Sequence, residues 1–436
     1  MNEKRRPLSA WEMILYGTGH VGTSVVTEVA LAWLVYFYSR NGYASLRMIG
    51  PALIIGHVVD AVSNPIIGNW SDRMRGRFGR RRPFILFGTP VLAIAFFLLW
   101  TPPLHRVSIA NFFYLAFMAS LLFFAFTVAV CPYLALLPEL APERRERIRL
   151  ASVQAAFNVL GVLAAVFAGL IIERLGYGPM AWLYATITWV TLWAPLAGRK
   201  EEAQTESAQP FHFILALKAT LSNRPFLIYV RAYLLFWLGL RVLLVSLPFY
   251  VRAMLGMKES GASLLQGGCV VPALLLFALL PWATSRWGKR RLLLVGFLDL
   301  ALGAPILALA ALFPPHSRLA VALVGIVLAS PAIGILFGLP NAVVADLCDY
   351  DAARTHRRRE GVYFGVQGFM VKLVLGLGAW VAALTLDLLG SDAAHPGGVI
   401  AAPLICAACA LGAFFAFRAY PLQEDAKPAP VEPAQP

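Results

Sequence analysis

Arg77-Phe78-Gly79-Arg80-Arg81-Arg82 sits between two apolar runs, and roughly half a chain length later the pattern returns as Arg286-Trp287-Gly288-Lys289-Arg290-Arg291. An aromatic residue, a glycine and three basic residues recur in the same order and in the same kind of place, a short polar link between long apolar segments. A weaker echo at nearly the same offset sets Pro132 against Pro340 and Arg149 against Arg357. Basic links recur easily next to membrane spans, but this ordered hexapeptide does so less readily. It points to a chain built from two copies of one unit.

The segments flanking the hexapeptides say what that unit is. Of the 436 residues, 59% are hydrophobic and only 14% are charged, and the mean hydropathy is +0.70. Soluble domains are about 45–50% apolar and about 25% charged. The balance excludes a disordered chain, a collagen-like repeat and an ordinary cytosolic enzyme. A helix needs roughly 20 residues to cross the hydrocarbon layer. On that measure twelve spans are predicted, at 11–38, 47–69, 84–101, 108–137, 151–172, 179–197, 223–251, 262–283, 290–312, 320–345, 361–386 and 398–420. Pro102-Pro103 closes the third, and Pro132 is a candidate end for the fourth, with the remainder a short extension.

Two six-helix bundles follow, 1–197 and 223–420, joined by a polar cytoplasmic linker at 198–222 and followed by a disordered cytoplasmic tail at 421–436. Phe211 to Leu221 reads as an amphipathic piece lying on the inner surface. Two parallel halves of this kind are the plan of the all-α major facilitator fold, with alternating access between the halves.

Charge sets the orientation. The net charge is +14, which in a soluble protein would suggest nucleic acid. Here the basic residues cluster between the spans. With the N-terminus inside, and residues at the span ends counted with the adjoining loops, 27 of the 37 Lys and Arg residues fall on the inner side, 7 on the outer side and 3 deep within spans. That bias assigns both termini to the cytoplasm, with the basic clusters in contact with lipid and not with nucleic acid, and helical spans point to the cell inner membrane. The N-terminal apolar segment is too long for a signal-peptide core. The five cysteines lie in or beside apolar runs, without metal-like spacing, so neither a disulfide framework nor a metal cluster is expected. No phosphate-binding loop, dinucleotide fingerprint or zinc-hydrolase motif is present, which argues against ATP-driven transport and against an enzyme. No cofactor is expected.

Ionisable side chains inside a membrane are expensive and mark a pathway. Asp60 lies near the middle of span 47–69, and His57, Asp60 and Asn64 share one helix face. Oxygen ligands suit hard ions, so Asp60 and Asn64 could hold a proton or a sodium ion. Glu28, one turn after Ser24, is a further candidate for cation coupling. Lys372 lies near the middle of span 361–386, and its matching depth predicts a pair with Asp60 across the two halves when the substrate is absent. Arg231 and Arg241, about 15 Å apart along one helix, join Lys372 as candidate substrate contacts for a negatively charged group. Ser24, Tyr133 and Gln367 are candidates for polar contacts. Asp299 is expected to be structural. At the cytoplasmic ends, Asp72, Arg73 and Arg80 in one repeat, and Asp346, Asp349 and Arg359 in the other, are candidates for a gate of ion pairs.

Several stretches carry a resemblance. Asp60-Ala61-Val62-Ser63-Asn64-Pro65-Ile66-Ile67-Gly68, Ser71-Asp72-Arg73 and the hexapeptide followed by Pro83-Phe84 are three of them. Pro132-Tyr133-Leu134-Ala135-Leu136-Leu137-Pro138, Ala345-Asp346-Leu347-Cys348-Asp349-Tyr350 and Arg359-Glu360-Gly361-Val362-Tyr363 are the others. Over nearly the whole chain these resemble the glycoside–pentoside–hexuronide:cation symporters, the melibiose permease-like branch of the major facilitator superfamily. Animal sodium-dependent lysophospholipid symporters look like distant members of the same branch. The resemblance implies that Asp60 stands at the family's first cation-site aspartate, Asn64 at its second, and Lys372 at its conserved lysine. It also implies that Ser24 and Thr23 occupy the places of a sugar-binding aspartate and its lysine neighbour, and that Val130 and Leu134 occupy those of a further aspartate and a tryptophan. The coupling groups are partly kept and the galactoside-binding groups are missing.

The expectation is therefore a secondary active transporter, functional as a monomer, that couples a proton or sodium ion to the uptake of a small organic solute such as a glycoside or sugar acid. An alternative is a cation-coupled carrier of lysophospholipids or other amphiphiles, and another is a non-transporting membrane sensor or scaffold.

Overall fold

The computed structural model describes residue 6 and residues 8–74, 79–141, 143–198, 220, 222–355 and 360–421. Among these the chain forms fourteen α-helices. The first seven are α1 Ala10–Arg40, α2 Leu46–Arg73, α3 Arg82–Leu98, α4 Ile109–Leu140, α5 Arg144–Val166, α6 Ala168–Leu175 and α7 Tyr177–Trp193. The second seven are α8 Arg224–Met254, α9 Glu259–Trp287, α10 Lys289–Leu309, α11 Pro315–Gly338, α12 Pro340–Thr355, α13 Glu360–Leu389 and α14 Gly397–Arg418.

Among the described residues ten helical runs are long and apolar enough to cross a membrane, with α5–α6 and α11–α12 each counted as one run. The other two expected spans are α3 and α7, of 17 residues each, roughly 25 Å long at 1.5 Å per residue. The 3-10 turn Ala194–Ala197 extends α7. Each of the twelve expected spans thus has a helical counterpart. Pro132 does not end the fourth. α4 runs unbroken through Pro132 and Pro138 to Leu140, because proline within a span is tolerated where neighbouring helices satisfy the freed backbone groups. The breaks fall at Phe167, between α5 and α6, and at Leu339, ahead of Pro340.

Local chemistry explains the ends. Ser9 and Glu12 form a capping box at α1, with Glu12 N–H donating to Ser9 Oγ at 3.2 Å and Ser9 N–H donating to Glu12 Oε2 at 2.8 Å. Pro83 stands in the first turn of α3, where its missing N–H costs nothing. The glycines of the repeated hexapeptide share a positive φ: +93° at Gly79 and +78° at Gly288. Both lie in the left-handed region that side chains resist, so each repeat turns into its next helix on the one residue able to do it. Asp299 of α10 accepts the Ala332 N–H at 3.0 Å, next to the kink-prone Pro331 of α11. This is the structural use expected of that carboxylate.

Contacts group the chain into two compact units. The first comprises Met1–His212, Arg241–Gly267 and Phe369–Ala402, and the second Phe213–Leu240, Gly268–Gly368 and Pro403–Pro436. In the first unit α1 packs on α5 and α7, α2 on α4, and α3 on α4 and α7. Small residues let the backbones approach: a Cβ at Gly56 would lie 3.1 Å from Ala119 and Phe123, and one at Gly88 would lie 2.9 Å from Val128. Trp33, Tyr16, Tyr38, Tyr133 and Tyr184 are among the largest fully buried side chains of this unit. In the second unit α10 packs along α11. The expected surface piece 211–221 lies, Thr220 apart, outside the described residues, as does Arg359.

Candidate functional site

The first unit contains the intramembrane charges Glu28, Asp60, Arg241 and Lys372. Asp60 is 5% exposed. Its Oδ1 accepts from Lys372 Nζ of α13 and from Thr127 Oγ1 of α4, the latter at 2.9 Å. The ammonium and the carboxylate neutralise each other, and the hydroxyl satisfies a further lone pair. That combination makes a buried charge tolerable.

The meeting of Asp60 and Lys372 belongs to a longer register. α2 and α13 run antiparallel within this unit, and successive contacts are Asp60–Lys372, His57–Gly376, Gly50–Trp380 and Arg47–Asp387. A Cβ on Gly376 would lie 2.9 Å from His57 Cβ, and one on Gly50 would lie 3.0 Å from Trp380 Cα. Two glycines therefore set how closely the helices approach, and that approach brings Lys372 within reach of Asp60. His57 is 2% exposed, its ring centroid is 4.4 Å from that of Phe123, and its Nδ1 has no partner among the described residues. Both Arg241 and Lys372 act on it electrostatically. Asn64, one turn beyond Asp60, is half-buried.

α1 carries a polar stripe at helical spacing, His20, Ser24 and Glu28. α5 faces its first part with two neutral amides. Gln154 meets the His20 ring nitrogen Nε2. Ser24 Oγ lies 2.6 Å from Asn158 Oδ1 and 2.8 Å from the His20 carbonyl, and donates its proton to one of them. Thr23 Oγ1 donates to the same carbonyl at 3.0 Å. The His20 ring stands edge-on to Tyr133 at 5.6 Å.

Glu28 lies one further turn along. Arg241 of α8 is 3% exposed and donates from Nη1 to the Leu31 carbonyl of α1. Arg241 is the charge that acts on Glu28, but among the described residues no hydrogen bond or close ion pair joins them. Tyr133 is fully buried and donates to the Tyr16 carbonyl at 2.7 Å, so its hydroxyl serves the packing of α4 on α1.

The remaining candidates lie elsewhere. Arg231 and Gln367 belong to the second unit. Arg231 is exposed, and Gln367 Nε2 donates to Tyr229 Oη at 3.1 Å. Of the gate candidates, Asp72 pairs with Arg81 at 3.1 Å and Arg80 pairs with Glu139, which also takes Arg81 Nε at 2.6 Å. Asp346 pairs with Lys289 at 2.6 Å. Arg73 and Asp349 are exposed.

Sequence reasoning missed Thr127, His20, Gln154, Asn158, Arg81, Glu139 and Lys289. The amides at 154 and 158 were detectable as an i, i+4 pair in an otherwise apolar run. Glu139 directly follows the Pro132–Pro138 motif. Thr127 had no such signal, because one hydroxyl in an apolar span commonly returns its proton to its own helix.

Residues 15–424 match the family described as MFS/sugar transport protein. The isoprimeverose transporter of Lactiplantibacillus pentosus is 25% identical over 399 residues, which cover 88% of this chain and 81% of that one. The sodium-dependent lysophosphatidylcholine symporter 1 of Gallus gallus is 23% identical over 489 residues, 97% of this chain and 88% of that one. Among solved structures, the nucleoside transporter NupG superposes with a TM-score of 0.70 at 11% identity, covering 94% of this chain and 99% of that one, a likeness of fold alone. The chain belongs to the MFS/sugar transport protein family and is a multi-pass membrane protein, a secondary transporter of the major facilitator type and not an enzyme.

Proposed function

We propose that the protein couples the downhill movement of a proton or a sodium ion to the uptake of a small, hydroxyl-rich organic solute of the glycoside or sugar-acid class. The observation that carries this reading is the contact of Lys372 with Asp60. A cation that binds the carboxylate must displace the ammonium, and a freed ammonium is a ready partner for an oxygen-rich solute. Cation and solute then assist each other, which is the thermodynamic content of symport. Oxygen atoms of Asp60 and Thr127, with the Asn64 amide one turn away, suit a small hard cation. The neutral donors and acceptors of His20, Ser24, Gln154 and Asn158 suit hydroxyl groups better than a second charge. The relatives, an isoprimeverose transporter and a sodium-dependent lysophosphatidylcholine symporter among them, agree with cation-coupled transport.

On the same reading the protein works as a monomer in the cell inner membrane with both termini in the cytoplasm. Asp72, Arg80 and Asp346, together with Arg81, Glu139 and Lys289, brace the cytoplasmic ends of the spans.

The test is a thermal-shift screen of the purified protein against neutral glycosides, sugar acids and lysophospholipids, with and without sodium and at two pH values. A ligand that binds the folded state raises its apparent stability. Stabilisation by a sugar or sugar acid, deepened by sodium or by acid, supports the proposal and names the ion. Stabilisation by lysophospholipids alone replaces it with an amphiphile carrier. Absence of any solute-dependent cation movement in proteoliposomes overturns symport.

A further inference from the structure

We propose that Glu28 is a second proton-binding site, separate from Asp60, whose occupancy is set against the charge of Arg241. The inference rests on the symport reading for its role in transport, and on the geometry alone for its existence.

The two intramembrane carboxylates of the first unit are held differently. Asp60 has two direct donors, Lys372 and Thr127. Glu28 has none among the described residues, although Arg241 is close enough to act on it. The arginine spends a guanidinium N–H on the Leu31 carbonyl instead, and its Nε has no partner among the described residues. A carboxylate without a donor in a membrane interior is stabilised only weakly as an anion. A guanidinium does not give up its proton in a protein. Of the two groups, Glu28 is therefore the one that changes charge.

The charges of Asp60 and Lys372 are not among those that act on Glu28. The titratable groups on the helices packed about α1 include His57 and Asp60 on α2, Tyr133 and Glu139 on α4, Tyr177 and Tyr184 on α7, Arg241 and Arg252 on α8 and Glu259 on α9, while the apolar part of α5 offers Gln154 and Asn158. Of these, Arg241 is the group that acts on Glu28. Glu28 is also only partly buried, and it continues the helical stripe of His20 and Ser24.

The step balances simply. One proton from the aqueous phase adds to a Glu28 carboxylate oxygen, no covalent bond to carbon changes, and Arg241 keeps its charge with the Leu31 carbonyl as partner. The protonated carrier therefore bears one more positive charge than the unprotonated one. In a transport cycle that charge adds to the one bound at Asp60, giving two cations per solute.

The experiment is infrared difference spectroscopy of the membrane-reconstituted protein on exchange from alkaline to acidic buffer, with no solute present. The expected result is a carboxylic acid carbonyl band that appears on acidification, is lost in Glu28→Gln and is retained in Asp60→Asn. Glu28→Gln leaves Arg241 without its counter-charge and can fail to fold. The neutral pair Glu28→Gln with Arg241→Gln keeps the shape, and it too should lack the band. A spectrum unchanged by both substitutions overturns the proposal. Uptake of methyl β-D-glucoside and of D-glucuronate under imposed proton and sodium gradients separates the two readings. Gradient-driven accumulation by a wild type whose spectrum is unmoved by Glu28→Gln removes the second site and leaves symport standing. A Glu28 band without any driven accumulation keeps the proton site and removes symport.

Discussion

Lys372 meets Asp60 because Gly376, one turn further along α13, allows α13 to lie against His57 on α2. The ion pair and the glycine are two steps of one antiparallel register. A larger residue at either glycine of that register would move the ammonium as surely as a change at Lys372 itself.

The first prediction concerns the pair. Neutralising one member leaves the other charge buried, which costs about 3–5 kcal/mol. Asp60→Asn and Lys372→Ala should each lower thermal stability and abolish gradient-driven accumulation. The double variant should be more stable than the sum of the single losses implies, by about 0.5–3 kcal/mol of interaction. A double-mutant cycle on unfolding midpoints measures this, and strict additivity would show that the two groups do not interact.

Gly376 should tolerate no side chain. A Cβ there would lie 2.9 Å from His57 Cβ, whereas one at Gly178 on α7 meets nothing within 4 Å. Gly376→Val should destabilise by about 1–3 kcal/mol through overpacking. The same change at Gly178 should cost only the difference in helix propensity, within about 1 kcal/mol. Equal melting temperatures for the two variants would contradict the register.

Two ion pairs of opposite exposure should respond unequally to neutralisation. The Arg81–Glu139 pair has side chains only 9% and 3% exposed, while Arg47 of the Arg47–Asp387 pair is 71% exposed. Glu139→Gln should cost about 3–5 kcal/mol, because it takes a buried carboxylate from two guanidinium groups at once. Asp387→Asn should cost about 0–1 kcal/mol, and less at high salt. Chemical denaturation at low and high ionic strength distinguishes the two.

The neutral stripe should discriminate solutes by their hydroxyl groups. Asn158→Ala removes the partner of Ser24 and an acceptor worth about 1 kcal/mol. Stabilisation by a bound glycoside should weaken by roughly fivefold in apparent affinity, while the ion dependence set at Asp60 stays as it was. Loss of the ion response together with the solute response would mean that the stripe and the Asp60 site form one unit of structure.

Much of this molecule is legible without coordinates, and the reason is that the membrane imposes local rules. Apolar run length marks a span, basic residues mark the inner side, and a repeated Phe-Gly or Trp-Gly turn followed by three basic residues marks two related halves. Each signal is carried by consecutive residues, so the helices, the repeat and the intramembrane carboxylates all appear in the one-dimensional record. The partner of Asp60 appears there as well, since depth is proportional to distance along a span.

Azimuth and approach are different. Which side chain faces which across two helices depends on rotation and closeness, and these are decided by distant small residues such as Gly50, Gly56 and Gly376 acting against Trp380, Phe123 and His57. Only the packed molecule therefore reveals that Thr127 donates to Asp60, that Gln154 and Asn158 stand opposite His20 and Ser24, and that Arg241 gives its hydrogen bond to the Leu31 carbonyl and leaves Glu28 without a donor among the described residues.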